Sequence, residues 1–167
     1  MKEKRILILE DELLQALYLS EFLTKEGYKT QFVDQFEEGL KAIQFFDLQL
    51  VLCDINLKHQ KTGIDFAKAA NEIKPSLEFI FITAVTKAAT IQEAQQTDPL
   101  NYIVKPWKED QVKVTIQMAF NYISSKQKQH SVIETLTLSE YKILKLIAKQ
   151  LSSKEIAATL FVSEKTI

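Results

Sequence analysis

Five short runs rich in apolar and β-branched residues alternate with stretches of helical periodicity over residues 1–125. The runs are RILILE, KTQFV, LQLVLCD, LEFIFIT and NYIVK, and a pattern typical of an amphipathic helix follows each one. Segments such as ILIL, LVLC and FIFI are apolar on successive residues, which suits strands covered on both faces. We therefore predict an α/β fold with a doubly wound, five-stranded parallel sheet.

Glycine and proline set the predicted bounds of two helices. The first covers residues 13–26 and is closed by Gly27, and the third covers residues 64–74 and is stopped by Pro75. The other three are predicted through Leu40 and Phe45, near residues 88–96, and from 108 to about 128.

Charge is unevenly distributed along the chain. Residues 1–125 carry 14 basic and 18 acidic side chains, whereas residues 126–167 carry 7 and 4. The basic carboxyl-terminal part is compatible with nucleic-acid binding, and equally with a solvated helix face. The two parts are therefore expected to have different partners.

Several classes of protein are excluded by what the sequence lacks. No apolar run approaches the roughly 20 residues of a membrane helix, and the start MKEKRILILEDE is not a secretory signal. We expect a cytoplasmic protein with no membrane partner. The single cysteine, Cys53, is predicted to be a small core residue, and neither His59 nor His130 has a partner at metal-ligand spacing.

Charged and hydroxyl side chains follow four of the predicted strands, where an open parallel sheet forms its binding crevice. They are Glu10, Asp11, Asp54, Thr83 and Lys105. Converging carboxylates repel one another unless they share a cation or keep a proton, and Mg²⁺ prefers such oxygen ligands. Lys105 and Thr83 supply the two kinds of group that hold phosphoryl oxygens. The pattern predicts a Mg²⁺ site at which a carboxylate attacks phosphorus.

The motifs ILILEDE, LVLCDIN, FIFITA and NYIVKPW resemble, in this order, the strand-end signatures of response-regulator receiver domains over about residues 4–125. The resemblance implies a flavodoxin-like strand order 2-1-3-4-5 and phosphorylation by a sensor histidine kinase, with no turnover of an external substrate. It implies a cis peptide between Lys105 and Pro106. The implied roles are phosphoacceptor for Asp54 and Mg²⁺ ligand for Glu10, Asp11, Asp54 and the carbonyl of Asn56. Thr83 and Lys105 would contact the phosphoryl group. Thr83 and Tyr102 would form the switch, in which the Tyr102 ring turns inward when Thr83 moves.

Two stretches depart from the receiver pattern. The family usually places a proline-containing loop that ends in glycine after the phosphoacceptor, but this chain has Lys58 at the proline position and reaches Gly63 about one residue late. Pro99 and Leu100 occupy a turn where small residues are common, next to a face that the family often uses for dimerisation.

The carboxyl-terminal segment LTLSEYKILKLIAKQLSSKEIAATLFVSEKTI resembles the opening of LuxR-type helix-turn-helix domains. We predict a receiver domain over residues 1–125, a polar linker over 126–136 and a partial helix-turn-helix domain over 137–167. The predicted N-caps are Ser139, Ser152 or Ser153, and Ser163. The predicted helical core is Ile143, Leu144, Ile147, Ile156, Ala157 and Leu160. Most of the recognition helix is missing, so we expect this chain to bind DNA weakly or not at all.

Three functions are compatible with the sequence. The first is a phosphorylation switch that favours a homodimer and, in the full-length parent, regulates transcription through DNA binding. The second is a phosphatase with an aspartyl-phosphate intermediate, although such hydrolases usually carry a second acid where this chain has Asn56. The third is a stand-alone receiver that acts through protein contacts.

Overall fold

The computed structural model of the chain describes residues 3–58, 61–84, 88–135, 137–149 and 151–160. It divides into two compact units, Met1–Ile123 and Ser124–Ile167. The strands are β1 (Arg5–Leu9), β2 (Lys29–Val33), β3 (Leu50–Asp54), β4 (Glu78–Thr83) and β5 (Asn101–Val104). The helices are α1 (Leu13–Lys25), α2 (Phe36–Phe45), α3 (Gly63–Ile73), α4 (Ala88–Gln95), α5 (Glu109–Thr135), α6 (Leu138–Ala148) and α7 (Ser153–Leu160).

The first unit contains a five-stranded parallel sheet in the order β2-β1-β3-β4-β5, which confirms the predicted fold. Every residue of β3 and β4 is buried, because helices cover both faces of the sheet. Successive strand residues point to opposite faces, so Leu7 and Val51 join one core cluster while Ile6 and Leu52 join the other. The continuous apolar runs in the sequence reflect this two-sided burial.

The helix ends in the first unit agree closely with the predicted ends. Helix α1 is followed by Gly27, whose φ of 90° lies in the left-handed region that favours glycine. Helix α3 starts with a capping box, in which the Thr62 hydroxyl accepts from the Asp65 amide and the Asp65 carboxylate accepts from the Thr62 amide. This capping box fixes where α3 begins.

Helix α5 is longer than predicted. It continues to Thr135, so the segment 126–135 that was predicted as a linker is helical, and residue 136 lies outside the described part. The sequence of α5 contains neither glycine nor proline, and its lysine and glutamine side chains are good helix formers. The polar composition of residues 126–135 therefore does not end α5.

In the second unit, Thr137 rather than Ser139 caps α6, with Glu140 completing a capping box. Sequence reasoning missed the spacing Thr-x-x-Glu, which marks a capping box directly. Ser152 caps α7 with Glu155 in the same way, as predicted. Ser163 lies outside the described residues.

The predicted core of the second unit is confirmed only in part. Ile156 and Ala157 are buried, whereas Ile143 and Leu160 are half-buried. The prediction for Ile147 is wrong, because its side chain is 52% exposed. A short helix such as α6 or α7 buries one face against its neighbour and leaves the opposite face in solvent. The side chain of Leu144 lies outside the described residues.

Candidate functional site

The parallel register brings the predicted site residues to one edge of the sheet. Leu9 pairs with Cys53, so the next residues along the chain, Glu10 and Asp54, lie side by side at this edge. On the other side of β3, Asp54 pairs with Ile82, and Thr83 follows at the end of β4. Pairing of β4 with β5 places Lys105 just beyond this edge, where its amide donates to the Thr83 carbonyl at 2.9 Å.

Three carboxylates meet at this edge. One oxygen from each of Glu10, Asp11 and Asp54 lies within 4.8 Å of the other two. Glu10 and Asp54 are buried, with relative exposures of 5% and 6%. We call these three residues the acidic pocket.

Lys105 supplies the counter-charge for two of the three carboxylates. Its Nζ donates to Asp54 Oδ2 at 2.6 Å and to Glu10 Oε2 at 2.7 Å. Burial by itself lowers the pKa of Lys105, but the hydrogen bonds to Asp54 and Glu10 outweigh it and raise that pKa. Burial raises the pKa of Glu10 in spite of its hydrogen bond from Lys105. Lys105 is therefore held protonated beside the candidate phosphoacceptor.

Backbone amides orient the other carboxylate oxygens of the acidic pocket. The amide of Asn56 donates to Asp54 Oδ1 at 2.9 Å, and the amide of Lys58 donates to Asp11 Oδ2 at 2.8 Å. The Glu12 amide donates to Glu10 Oε1 at 3.3 Å. Each carboxylate thus has a fixed direction before any ligand arrives.

Gly63 packs directly behind Asp54. A Cβ atom added at Gly63 would lie 2.0 Å from the Asp54 carbonyl oxygen and 2.7 Å from Cys53 Sγ. The Gly63 amide also donates to the Ile55 carbonyl at 3.0 Å. Although this glycine comes one residue later than in the family pattern, it makes the close approach that only a residue without a side chain can make.

The predicted switch residues lie on β4 and β5. Thr83 is buried, with 2% of its surface exposed. Tyr102 turns inward, with its ring 5.9 Å from that of Phe81 and its hydroxyl buried without a hydrogen-bond partner among the described residues. Burial raises the pKa of Tyr102. The peptide between Lys105 and Pro106 is cis, as the resemblance implied.

The donor set of the acidic pocket fits a hard divalent cation such as Mg²⁺. It offers carboxylate oxygens from Glu10, Asp11 and Asp54 within a small volume, and such ions bind through one or two carboxylates together with water and phosphate oxygens. No nitrogen or sulfur ligand takes part in the cluster found among the described residues. The chemistry of these donors therefore favours Mg²⁺ over zinc.

Two features of the site were not foreseen from the sequence. The Tyr18 ring stacks on Trp107 with ring centres 5.6 Å apart, and its hydroxyl donates to Glu109 Oε1 at 2.6 Å, which ties α1 to the start of α5. Cys53 donates from Sγ to the Asp54 carbonyl at 3.3 Å, and burial raises its thiol pKa well above the usual range. Cys53 is thus a structural support for Asp54, in keeping with its predicted core role.

Comparison with known proteins assigns both parts of the chain. Residues 6–117 match the response regulator receiver domain family, and residues 134–167 match the luxR family of bacterial regulatory proteins. The transcriptional regulatory protein ZraR of Escherichia coli K12 is 26% identical over 72% of this chain but only 27% of its own length. The transcriptional regulatory protein PdtaR of Mycobacterium tuberculosis is 30% identical over 70% of this chain and 56% of its own. The chain thus spans only about a quarter to a half of these relatives.

Solved structures share the fold of the receiver part of the chain. A CheY-like receiver domain from Methanospirillum hungatei shares the fold with a TM-score of 0.71 at 23% identity, over 75% of this chain and 99% of its own. The signal receiver domain of a modulated diguanylate cyclase from Desulfovibrio desulfuricans has a TM-score of 0.68 at 28% identity, over the same shares of the two chains. None of the helices in the described residues has the length and apolar composition of a membrane span.

The matches of residues 6–117 and 134–167 to the two families decide the assignment. The chain belongs to the response regulator receiver family, and its receiver domain is followed by a LuxR-type segment.

Proposed function

We propose that this chain is a phosphorylation switch in which Asp54 accepts a phosphoryl group from a sensor histidine kinase in the cytoplasm. The observation that carries the proposal is the contact of one protonated lysine, Lys105, with both Asp54 and Glu10 inside the acidic pocket. A cluster of carboxylates in which the ammonium group of Lys105 faces the nucleophile Asp54 suits the transfer of a charged phosphoryl group.

The residues have distinct tasks in this reaction. A carboxylate oxygen of Asp54 forms the new O–P bond, while the N–P bond to the kinase histidine breaks and the leaving imidazole takes up a proton. Lys105 holds a negative phosphoryl oxygen through its ammonium group, and the Thr83 hydroxyl donates to another. The Asn56 amide keeps the carboxylate of Asp54 oriented.

Glu10, Asp11 and Asp54, together with the carbonyl of Asn56, would hold Mg²⁺. When bound, the cation supplies positive charge that offsets the charge of the phosphoryl oxygens. The close approach of the three carboxylates supports this part of the proposal.

The output of the switch is proposed to be dimerisation and control of transcription. Phosphorylation would draw Thr83 towards Asp54 and favour the inward position of Tyr102, which stabilises one of two populated conformations. In a full-length parent this would promote a homodimer and DNA binding through a complete helix-turn-helix domain. The luxR-family match and the names of the relatives support transcription as the output.

Two other functions stay open to experiment. A phosphatase is disfavoured because the position two residues after Asp54 is Asn56, whose side chain is not an acid. A stand-alone receiver would respond to phosphate in the same way, but fusion of the chain to a complete helix-turn-helix domain would not give it DNA binding.

Intact mass after incubation with acetyl phosphate tests the proposal. We expect wild-type protein to gain one phosphoryl group in Mg²⁺ and none in excess chelator, and Asp54→Asn to gain none. Asp34→Asn is the matched control, because Asp34 is an exposed acid just after β2 and is not part of the acidic pocket. Equal labelling of wild type and Asp54→Asn would contradict the proposal.

A further inference from the structure

Lys58 makes two contacts with the acidic pocket. Its backbone amide donates to Asp11 Oδ2, and its Nζ lies 3.8 Å from the same oxygen and 3.9 Å from Glu12 Oε1. The Asp11 side chain is only 6% exposed, whereas the Lys58 side chain is 68% exposed. The lysine therefore reaches in from the rim of the pocket towards a carboxylate that is otherwise shielded from water.

This contact brings a second ammonium group to the pocket. Lys105 faces Asp54 and Glu10, and Lys58 faces Asp11, so three carboxylates are met by two ammonium groups. A proline at position 58, which is the usual residue in the family, would bring neither an amide hydrogen nor a charge. The arrangement is thus a property of this chain and its unusual loop.

We propose that Lys58 is a positioning residue whose ammonium group competes with a divalent cation for Asp11 and so weakens the Mg²⁺ affinity of the pocket. The inference rests on the proposed function, since Asp11 is one of the proposed ligands. An ammonium group and Mg²⁺ repel each other at a shared carboxylate oxygen, so the lysine side chain must swing into solvent when the cation binds. Its high exposure leaves room for this movement.

The backbone amide of Lys58 is expected to act in the opposite sense. It fixes the Asp11 carboxylate without adding a net charge, and it is present in any variant at this position other than proline. Substitutions of the side chain therefore isolate the effect of the ammonium group.

The test is a calorimetric titration of the full chain with Mg²⁺ alone. We expect Lys58→Met to bind Mg²⁺ more tightly than wild type, because the competing ammonium group is gone. The gain should be only about three-fold to ten-fold, because water strongly screens the charge of a mostly exposed side chain. Lys58→Arg retains the charge and is expected to bind like wild type. The difference between Lys58→Met and wild type should shrink between about 0.05 M and about 0.5 M NaCl.

Lys61→Met is the matched control. Lys61 follows in the same loop, but its Nζ pairs with Glu37 at 3.3 Å and lies 4.0 Å from the Phe36 ring centre. We expect this variant to keep the wild-type Mg²⁺ affinity. An affinity of Lys58→Met equal to or weaker than wild type overturns the inference and leaves the proposed function standing. Absence of Mg²⁺ binding by wild type and Lys58→Met alike would instead overturn the proposed metal site, and the inference with it.

Discussion

A single methyl group added at Gly63 is expected to damage the phosphoacceptor site more than it damages the fold. In Gly63→Ala the new Cβ would start 2.0 Å from the Asp54 carbonyl oxygen, whereas ordinary contact begins near 3.4 Å. Both the oxygen and the start of α3 are backbone, so neither can turn away as a side chain would. The Asp54 carbonyl and the start of α3 must therefore move apart by more than an ångström.

The size of both effects follows from this displacement. Overpacking of a filled interior costs about 1–3 kcal/mol of unfolding free energy. A displacement of roughly 1 Å at a reacting group lowers the rate of its reaction by about 100-fold. We expect Gly63→Ala to remain folded in urea titrations and to phosphorylate about 100 times more slowly with acetyl phosphate, as followed by intact mass.

Gly27→Ala separates the two effects. Gly27 has a φ of 90°, and apart from its chain neighbours no atom of the described residues lies within 4 Å of an added Cβ. It lies between α1 and β2, away from the carboxyl edge of the sheet. Backbone strain should lower the unfolding free energy by about 1–2 kcal/mol and leave the phosphorylation rate unchanged. If Gly63→Ala phosphorylates as fast as Gly27→Ala, the reasoning about the close approach behind Asp54 is wrong.

Three further substitutions test the site and its supports. Burial disfavours the ionised form of Glu10 in the folded protein and so raises its pKa. The resulting loss of stability is absent below the ordinary pKa of a glutamate and is complete above the raised pKa of Glu10. Glu10→Gln should therefore increase the unfolding temperature more at neutral pH than at about pH 4, and the opposite trend would count against this reasoning. Thr62→Ala removes the α3 cap and should cost about 1 kcal/mol in urea unfolding. Hydrogen bonds from the Thr62 amide and hydroxyl lower the pKa of Asp65, and only the hydroxyl bond is lost in Thr62→Ala. The part of the cost due to that bond should disappear as pH falls through the lowered pKa, whereas the part due to the bond from the Asp65 amide stays, so a cost that does not change with pH would contradict this reasoning. Tyr102→Phe removes a buried hydroxyl without a partner among the described residues and should leave stability unchanged or raise it by about 1 kcal/mol, whereas a clear loss would indicate an additional partner.

The sheet and the acidic pocket could be predicted because they depend on regular geometry. Strands buried on both faces must be apolar throughout, and the end of each such run marks the carboxyl edge of the sheet. Parallel pairing then brings Glu10, Asp54 and Thr83 together with no knowledge of the loops. The roles of the individual residues came from the family resemblance and stay predictions.

The features that could not be predicted depend on irregular backbone or on partial burial. The contact between Lys58 and Asp11 joins residues 47 positions apart through a loop whose path is not periodic. The length of α5 was underestimated because a polar helix and a polar linker have the same composition. Ile147 is apolar at helical spacing yet exposed, since the pattern does not show how much of a face its neighbours cover.

The identity of the phosphorylated residue tests the central claim most directly. Borohydride reduces an aspartyl phosphate to homoserine, so protein phosphorylated by its histidine kinase or by acetyl phosphate can be reduced, digested and sequenced by mass spectrometry. We predict homoserine at position 54 and at no other acid. Homoserine at Asp11 or Asp34 with Asp54 unchanged, or a phosphorylated protein without homoserine, would contradict the assignment of Asp54 as the phosphoacceptor.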